Sequence, residues 1–230
     1  MIIPTFKIPF YPIFILLSLI LGLLYIYVSI KKEKGFKKES YLYILMFILF
    51  IFIIAKLFTY FTSDNKDFFR VGLSSYGGFI GIILSAFIFE KMLPMNGKLF
   101  KYSMISILLI YSISKIGCFL AGCCYGRPFD SFFSVIYPDG LNIKLFPVQI
   151  VETFVFFILF LICNRIKDNK HINEIVIISG ATCKFLLDFL RYDHVEKMIT
   201  VNQMFSIVLV IIVIIYLVYR NIFDKKIKSF

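Results

Sequence analysis

The chain has 230 residues, of which 60% are hydrophobic and 17% are charged, and its mean hydropathy is +0.89. A water-soluble domain of this length has a much smaller apolar share, so the composition excludes an ordinary soluble protein and indicates a membrane protein. The formal net charge of +11 does not indicate a nucleic-acid partner, because the lysines flank hydrophobic segments.

A membrane-spanning helix needs about 20 mostly apolar residues, and lipid offers the backbone no other hydrogen-bond partner. The candidate spans, in chain order, are Phe10–Ile30, Tyr41–Thr62, Val71–Phe89, Tyr102–Gly122, Pro147–Cys163, Ile175–Leu190 and Val201–Tyr219. The pattern predicts an all-α, polytopic membrane protein of about seven transmembrane helices, with residues 1–230 forming a single transmembrane domain. The sixth segment is short and charged, so the alternative is that it does not cross.

The basic residues indicate an orientation. The first, third and fifth connections and the C-terminal tail carry fifteen Lys and Arg residues, whereas the N-terminal segment and the alternate connections carry seven. Because positive charge is retained in the cytoplasm, we expect the N-terminus outside and the C-terminus inside. The longest connection, residues 123–146, is then an extracytoplasmic loop, rich in turn-forming Gly and Pro. A sixth segment that did not cross would place the basic tail outside.

Charged groups are costly inside a membrane, so each one is a candidate for function. In this orientation five helices place polar residues in the outer half of the bilayer: Lys56, Tyr76, Lys115, Gln149, Glu152, Lys184 and Asp188. Residues three or four apart share a helix face, which pairs Tyr111 with Lys115 and Lys184 with Asp188.

These polar residues predict one cavity that opens toward the outer leaflet, rimmed by Arg127 and Arg191. Its surplus of positive charge suits the phosphate of an anionic phospholipid. Taken singly, each residue also fits a structural role, such as snorkelling of Lys56 or a neutralised Lys184–Asp188 pair. An ion path is disfavoured because the cytoplasmic half contains almost no polar residues.

Glycines and cysteines have a packing interpretation and a functional one. Gly77, Gly78, Gly117 and Gly126 allow close helix contact, or the approach of backbone N–H groups to an anion. Cys118, Cys123 and Cys124 lie close together in sequence, but zinc usually takes four ligands and no histidine is near. We therefore predict no metal and no cofactor, and interpret these cysteines as small packing residues.

Four segments, spread over about residues 71–206, resemble motifs of the bacterial prolipoprotein diacylglyceryl transferase family in the family's order. They are Tyr76–Gly78 (YGG), Lys115–Pro128 (KIGCFLAGCCYGRP), Phe146–Glu152 (FPVQIVE) and the set Gly180, Lys184, Asp188 and Arg191. The second is similar to the family's R-x-G-N-F-x-N-x-E-x-x-G-R signature, in the form shared by a GCCYG-bearing branch.

The resemblance implies a multi-pass enzyme of the bacterial plasma (inner) membrane. It would transfer the diacylglyceryl group of phosphatidylglycerol to the lipobox cysteine of a prolipoprotein signal peptide, releasing glycerol phosphate. The implied catalytic residues are Tyr76, Lys115, Arg127, Glu152, Lys184 and Asp188, with Lys115 and Arg127 facing the phosphate. The implied substrate-binding residues are Gly77, Gly78, Gly117, Gly126, Gln149 and Arg191.

The chain departs from the family's motifs at several of these positions. Tyr76 stands where the family has a histidine, and a phenol is a poor base near neutral pH. Lys115 and Lys184 replace arginines, which keeps the charge but removes the bidentate fork. Other replacements are Cys118 for asparagine, Cys123 for glutamate, Phe146 for histidine and Asp188 for glutamate. Two alternatives follow: a related transferase with another acceptor, and a non-catalytic phospholipid-binding protein.

Overall fold

A computed structural model describes residues 2, 10–32, 40–62, 67–68, 74–92, 97–137, 141–195 and 197–228. The α-helices of this part of the chain are α1 (Phe10–Lys32), α2 (Ser40–Thr62), α3 (Ser75–Met92), α4 (Lys98–Leu120), α5 (Val148–Arg165), α6 (Ile172–Asp188) and α7 (Val201–Lys228). A short 3-10 helix, Tyr192–Val195, precedes α7. The predicted all-α fold is confirmed, and each described helix corresponds to one predicted span.

Some residues used in the sequence analysis lie outside the described ranges. They are Val71, which begins the third predicted span, Pro138 and Gly140 of the long connection, and the loop residues Lys7, Lys34, Lys37, Lys38, Lys66 and Arg70. The orientation that rests partly on those lysines stays a prediction.

Helix length and hydropathy support a multi-pass membrane protein. Among the described residues, α1, α4, α5 and the Val201–Arg220 part of α7 are long and apolar enough to cross a membrane, and Met46–Thr62 is a shorter apolar helix segment. Helix α6 has 17 residues, so it is about 26 Å long, slightly shorter than a hydrocarbon core of about 30 Å. This short helix also carries Lys184 and Asp188 near its C-terminal end.

Helix α4 lies at the centre of the bundle and packs against α1, α3, α5 and α6. Its interior serines satisfy their hydroxyls locally: Ser103 donates to the Leu99 carbonyl at 2.7 Å and Ser106 to the Ser103 carbonyl at 2.8 Å. Large apolar side chains on α1 and α7, such as Leu16 and Ile215, are exposed and form part of the lipid-facing surface. Near its C-terminal end, α4 also carries Lys115, whose side chain is buried in the interior of the protein.

Three glycines allow close contact between helix backbones. A Cβ on Gly77 would lie 2.6 Å from the Ala55 Cα, and one on Gly81 would lie 2.8 Å from the Phe50 carbonyl oxygen. A Cβ on Gly117 would lie 2.7 Å from the Phe14 Cβ. These distances are below van der Waals contact, so the glycines set the α2–α3 and α1–α4 spacings.

The connection between α4 and α5 folds back on itself and against the end of α6. Leu145 exchanges backbone hydrogen bonds with Val135, and Arg127 donates its N–H to the Leu190 carbonyl at 2.9 Å. A side chain at Gly126 would collide with the Phe146 and Leu190 carbonyls, so this crossing requires glycine. The connection is thereby fixed to the backbone beside Arg191.

Candidate functional site

The polar cluster lies at one end of the bundle. Helices α3, α5 and α7 contribute residues near their first turns, whereas α4 and α6 contribute residues near their last turns. Consecutive helices that cross in alternate directions bring these five ends together. The charges in the sequence predicted a convergence of the second to sixth helices; the structure has α7 in place of α2, whose Lys56 bonds to the Phe68 carbonyl.

Glu152 is the centre of the cluster and is fully buried. Its Oε1 accepts hydrogen bonds from the Tyr111 hydroxyl at 2.9 Å, the Lys184 Nζ at 3.0 Å and the Arg191 Nη2 at 2.8 Å. Its Oε2 lies 3.0 Å from the Lys115 Nζ. One carboxylate therefore holds three cations from three different segments of the chain.

Asp188 is the second buried carboxylate of the cluster. Its Oδ1 lies 3.2 Å from the Arg191 Nε and 3.9 Å from the Lys184 Nζ. Its Oδ2 accepts a hydrogen bond from the Thr200 hydroxyl and lies 3.9 Å from the His194 Nε2. The predicted Lys184–Asp188 pair is thus a long contact inside a larger network. With two carboxylates against three cations, the cluster has a formal surplus of one positive charge.

Two lysines of the cluster lie close to the ring of Tyr111. The Lys115 Nζ is 4.9 Å and the Lys184 Nζ is 5.3 Å from the centre of its ring, within the range of cation–π attraction. Its hydroxyl donates to Glu152. Helical spacing predicted its pairing with Lys115, but the sequence gave no sign of its bond to Glu152.

The start of α7 supports Asp188 through a capping motif that the sequence analysis missed. Thr200 and Gln203 bond reciprocally: the Thr200 N–H donates to the Gln203 Oε1 at 3.1 Å, and the Gln203 N–H donates to the Thr200 Oγ1 at 3.2 Å. This is a capping box, whose sequence signature is Thr followed three residues later by Gln. The signal was present in the sequence as Thr200-Val-Asn-Gln203.

Other predicted site residues bond elsewhere. Tyr76 donates its hydroxyl to the Asn202 carbonyl at 2.8 Å and lies 2.5 Å from the Ser206 Oγ, so the phenol is held by α7. Gln149 donates to the Cys123 carbonyl at 2.9 Å and fastens the connection after α4. Lys56 donates to the Phe68 carbonyl at 2.9 Å, away from Glu152.

Arg127 is exposed, and its side chain has no ion pair with any residue in the described part of the chain. Its backbone, however, is fixed to Leu190. The structure thus gathers Lys115, Glu152, Lys184, Asp188 and Arg191 in one network and places Arg127 on the surface of the connection beside it.

A cavity of about 160 Å³ ends at this network. Its walls are mainly apolar side chains of the first four helices, including Ile15, Leu19 and Ile107, and Gly78 also lines it. Its polar lining residues are Tyr11, Ser18, Ser74, Tyr111, Ser114, Lys115, Cys118, Cys124 and Arg191. An apolar chamber with cations at one end fits a molecule that carries hydrocarbon and a negative charge.

A smaller cavity of about 30 Å³ is also lined by Tyr111. Lys184, Tyr76 and Gly180 line it together with aromatic and aliphatic residues. Tyr111 lines both cavities; Lys115 and Arg191 line the larger one, and Lys184 lines the smaller one.

The family model and the relatives that match this chain carry the same family name. A family model described as prolipoprotein diacylglyceryl transferase matches residues 1–219. Relatives named phosphatidylglycerol–prolipoprotein diacylglyceryl transferase include one from Dehalococcoides mccartyi strain 195, 26% identical over 67% of this chain and 64% of the relative. One from Clostridium tetani is 30% identical over 61% of each chain. One from Ehrlichia canis is 25% identical over 91% of this chain and 92% of the relative. The matched region thus spans slightly less than two thirds of the first two relatives.

Proposed function

This chain belongs to the prolipoprotein diacylglyceryl transferase family, and on that premise we propose that it transfers the diacylglyceryl group of phosphatidylglycerol to the thiol of a lipobox cysteine. The observation that carries the proposal is the apolar cavity that ends at Lys115 and Arg191 beside the Glu152 network. We place the enzyme in the bacterial plasma membrane with residues 123–146 on the extracytoplasmic side.

The reaction breaks the bond between a glycerol carbon of the lipid and a phosphate oxygen. A carbon–sulfur bond forms in its place, the thiol proton is lost, and glycerol phosphate leaves with additional negative charge. Cations fixed beside the leaving oxygen lower the barrier because they stabilise charge that develops in the transition state. Lys115 and Arg191 line the cavity and are suited to this task.

Glu152 has a positioning role in this proposal. It holds Lys115, Lys184 and Arg191 within 3.0 Å of its two oxygens, so the cations are in place before substrate binds. The formal surplus of one positive charge is available to the phosphate. Asp188, which accepts a hydrogen bond from the Thr200 hydroxyl, contacts the Arg191 Nε and fixes the guanidinium from another side.

Arg127 is suited to the entrance rather than to the buried network. Its side chain is exposed, and its backbone is bonded to Leu190, one residue before Arg191. An exposed guanidinium at this position can bind the glycerol phosphate group as the lipid enters or as the product leaves.

The replacement of the family's histidine by Tyr76 supports a second candidate function, that of a related transferase that modifies another acceptor. The phenol replaces the family's histidine and is bonded to Asn202 and Ser206 of α7. A group held in this way does not accept a proton from an incoming thiol. The acceptor side of this chain therefore differs from the family's usual arrangement.

The test uses the full chain in vesicles that contain phosphatidylglycerol and a synthetic lipobox peptide. We expect glycerol phosphate and a lipid-modified peptide in equal amounts. Lys115→Met should reduce turnover by about 100-fold or more, as expected for the loss of one stabilising group. Lys91→Met removes the same charge from the far end of α3 and should leave turnover unchanged.

Two outcomes would overturn the proposal. Release of glycerol phosphate without modification of the peptide would support a different acceptor. Saturable binding of phosphatidylglycerol without any release, in conditions where a known family enzyme is active, would support a lipid-binding protein instead.

A further inference from the structure

Three cysteine sulfurs lie together beside the cationic end of the cavity. The Sγ atoms of Cys118, Cys123 and Cys124 all lie within 4.8 Å of one another, and none of the three forms a disulfide. Cys118 is buried in the last turn of α4, Cys123 is half-buried and Cys124 is exposed. From the sequence these cysteines are expected to be packing residues, because zinc usually takes four ligands and no histidine is near.

The end of α4 explains why two of the sulfurs meet. Gly122 has a φ of +64°, and the Cys123 N–H bonds to the Cys118 carbonyl at 3.1 Å while the Gly122 N–H bonds to the Phe119 carbonyl at 3.3 Å. This is a Schellman motif, in which the residues at the positions of Cys118 and Cys123 commonly pack together. Helix capping alone therefore accounts for this pair.

Cys124 requires a further explanation. Its φ of +55° lies in the left-handed region, which residues other than glycine rarely adopt. Such backbone strain persists where surrounding structure enforces it, and it is concentrated at functional sites. This conformation accompanies the return of the third sulfur to the other two.

The sulfur cluster is open toward the proposed substrate. Cys118 and Cys124 line the 160 Å³ cavity together with Lys115 and Arg191. Catalytic zinc sites use three protein ligands and leave the fourth position for water or substrate. Soft thiolates select metals of this kind. Three thiolates around Zn²⁺ have a net charge of −1.

We propose that Cys118, Cys123 and Cys124 bind one zinc ion, and that the acceptor thiol binds as the fourth ligand on the cavity side. This inference rests on the proposed function and supplies the acceptor activation that Tyr76 does not. The acceptor thiol displaces water and loses its proton to solvent, since a thiol coordinated to zinc is deprotonated. Its sulfur attacks the glycerol carbon, the carbon–oxygen electrons pass to the phosphate oxygen, and the zinc keeps its oxidation state.

Metal binding is measured first, independently of activity. The reduced full chain in detergent micelles is titrated with Cd²⁺ and with Co²⁺, and thiolate-to-metal charge-transfer absorption is recorded. We expect one equivalent to bind. Cys118→Ser, Cys123→Ser and Cys124→Ser should each weaken binding by at least about tenfold, a loss of about 1.4 kcal/mol. Cys163→Ser and Cys183→Ser, in α5 and α6, are matched controls and should bind normally.

Several results would overturn the zinc site. These are no stoichiometric binding to the unmodified chain, equal binding by Cys124→Ser and Cys163→Ser, or a disulfide within the cluster in protein isolated without reductant.

Turnover then separates the two proposals. If chelation of metal abolishes lipid modification of the peptide, and added Zn²⁺ restores it, the acceptor role of the metal is supported. If the metal-free chain and Cys124→Ser modify the peptide at the normal rate, the zinc inference fails while the transferase function stands. If the cysteines bind metal but turnover does not depend on the lipid donor, on the acceptor or on the cationic residues, the transferase proposal and the acceptor role of the metal both fail.

Discussion

Replacement of Glu152 by glutamine tests whether this carboxylate holds the cationic cluster together. The change leaves Lys115, Lys184 and Arg191 buried around a neutral amide. At 3.0 Å, one of these pairs has an attraction of about 5 kcal/mol at an effective dielectric constant of about 20. Desolvation offsets part of this energy, and removal of one partner of a buried pair typically costs about 3–5 kcal/mol. We expect the free energy of unfolding of Glu152→Gln to fall by that amount.

The measurement is equilibrium unfolding in mixed detergent micelles, followed by loss of helical circular dichroism. Asp130→Asn is the matched control because Asp130 forms an ion pair with Lys144 in which the two side chains are 81% and 51% exposed. An exposed pair contributes about 0–1 kcal/mol, so this variant should unfold almost as the unmodified chain does.

A double variant sharpens the test. Lys184→Met combined with Glu152→Gln removes one of the cations that glutamine leaves unpaired, and should be about 1–3 kcal/mol more stable than the sum of the two single changes predicts. The reasoning is refuted if Glu152→Gln unfolds within about 1 kcal/mol of the unmodified chain, or if the two changes are additive.

Three further predictions concern the cavity and its surroundings. Tyr111→Phe keeps the ring between the lysines but removes the hydrogen bond to Glu152, so unfolding free energy should fall by about 1.5–3 kcal/mol; an unchanged value would contradict the importance of that bond. Gly77→Ala should lower the thermal stability, because its Cβ would collide with α2. Gly78→Ala should fold normally, because its Cβ would lie 3.8 Å from its nearest neighbour, and should raise KM for long-chain donors. Equal stability of the two variants would argue against close α2–α3 packing at Gly77. Phe132 is 92% exposed and the chain has no Trp, so Phe132→Trp introduces a single fluorophore into the connection after α4. If this connection contacts lipid, brominated phosphatidylglycerol should quench the tryptophan fluorescence. Absence of quenching would exclude that contact.

The sequence determined the helical class and the approximate ends of the helices. Long apolar segments in lipid have to satisfy their backbone groups internally, so the segments predicted as spans became helices. The local pairings were also predictable, because residues four apart share a helix face whatever the tertiary structure: Lys184 faces Asp188, and Lys115 lies over the ring of Tyr111.

Tertiary structure decided which charges meet and which do not. Apolar side chains resemble one another, so a sequence does not fix the rotation of each helix about its axis; packing against the neighbouring helices does. That rotation brings Glu152 to Lys115, Lys184 and Arg191, aims Tyr76 at α7, and binds Lys56 to the Phe68 carbonyl.

At the cysteine cluster, too, the sequence alone did not determine which side chains meet, and the folded backbone did. The sequence suggested only packing residues, since zinc usually takes four ligands and no histidine is near these cysteines. The left-handed backbone at Gly122 and Cys124 brings both sulfurs back toward Cys118. The helix end and the contacts of the following connection set these two backbone dihedral angles. The three thiols therefore lie together as one candidate ligand set.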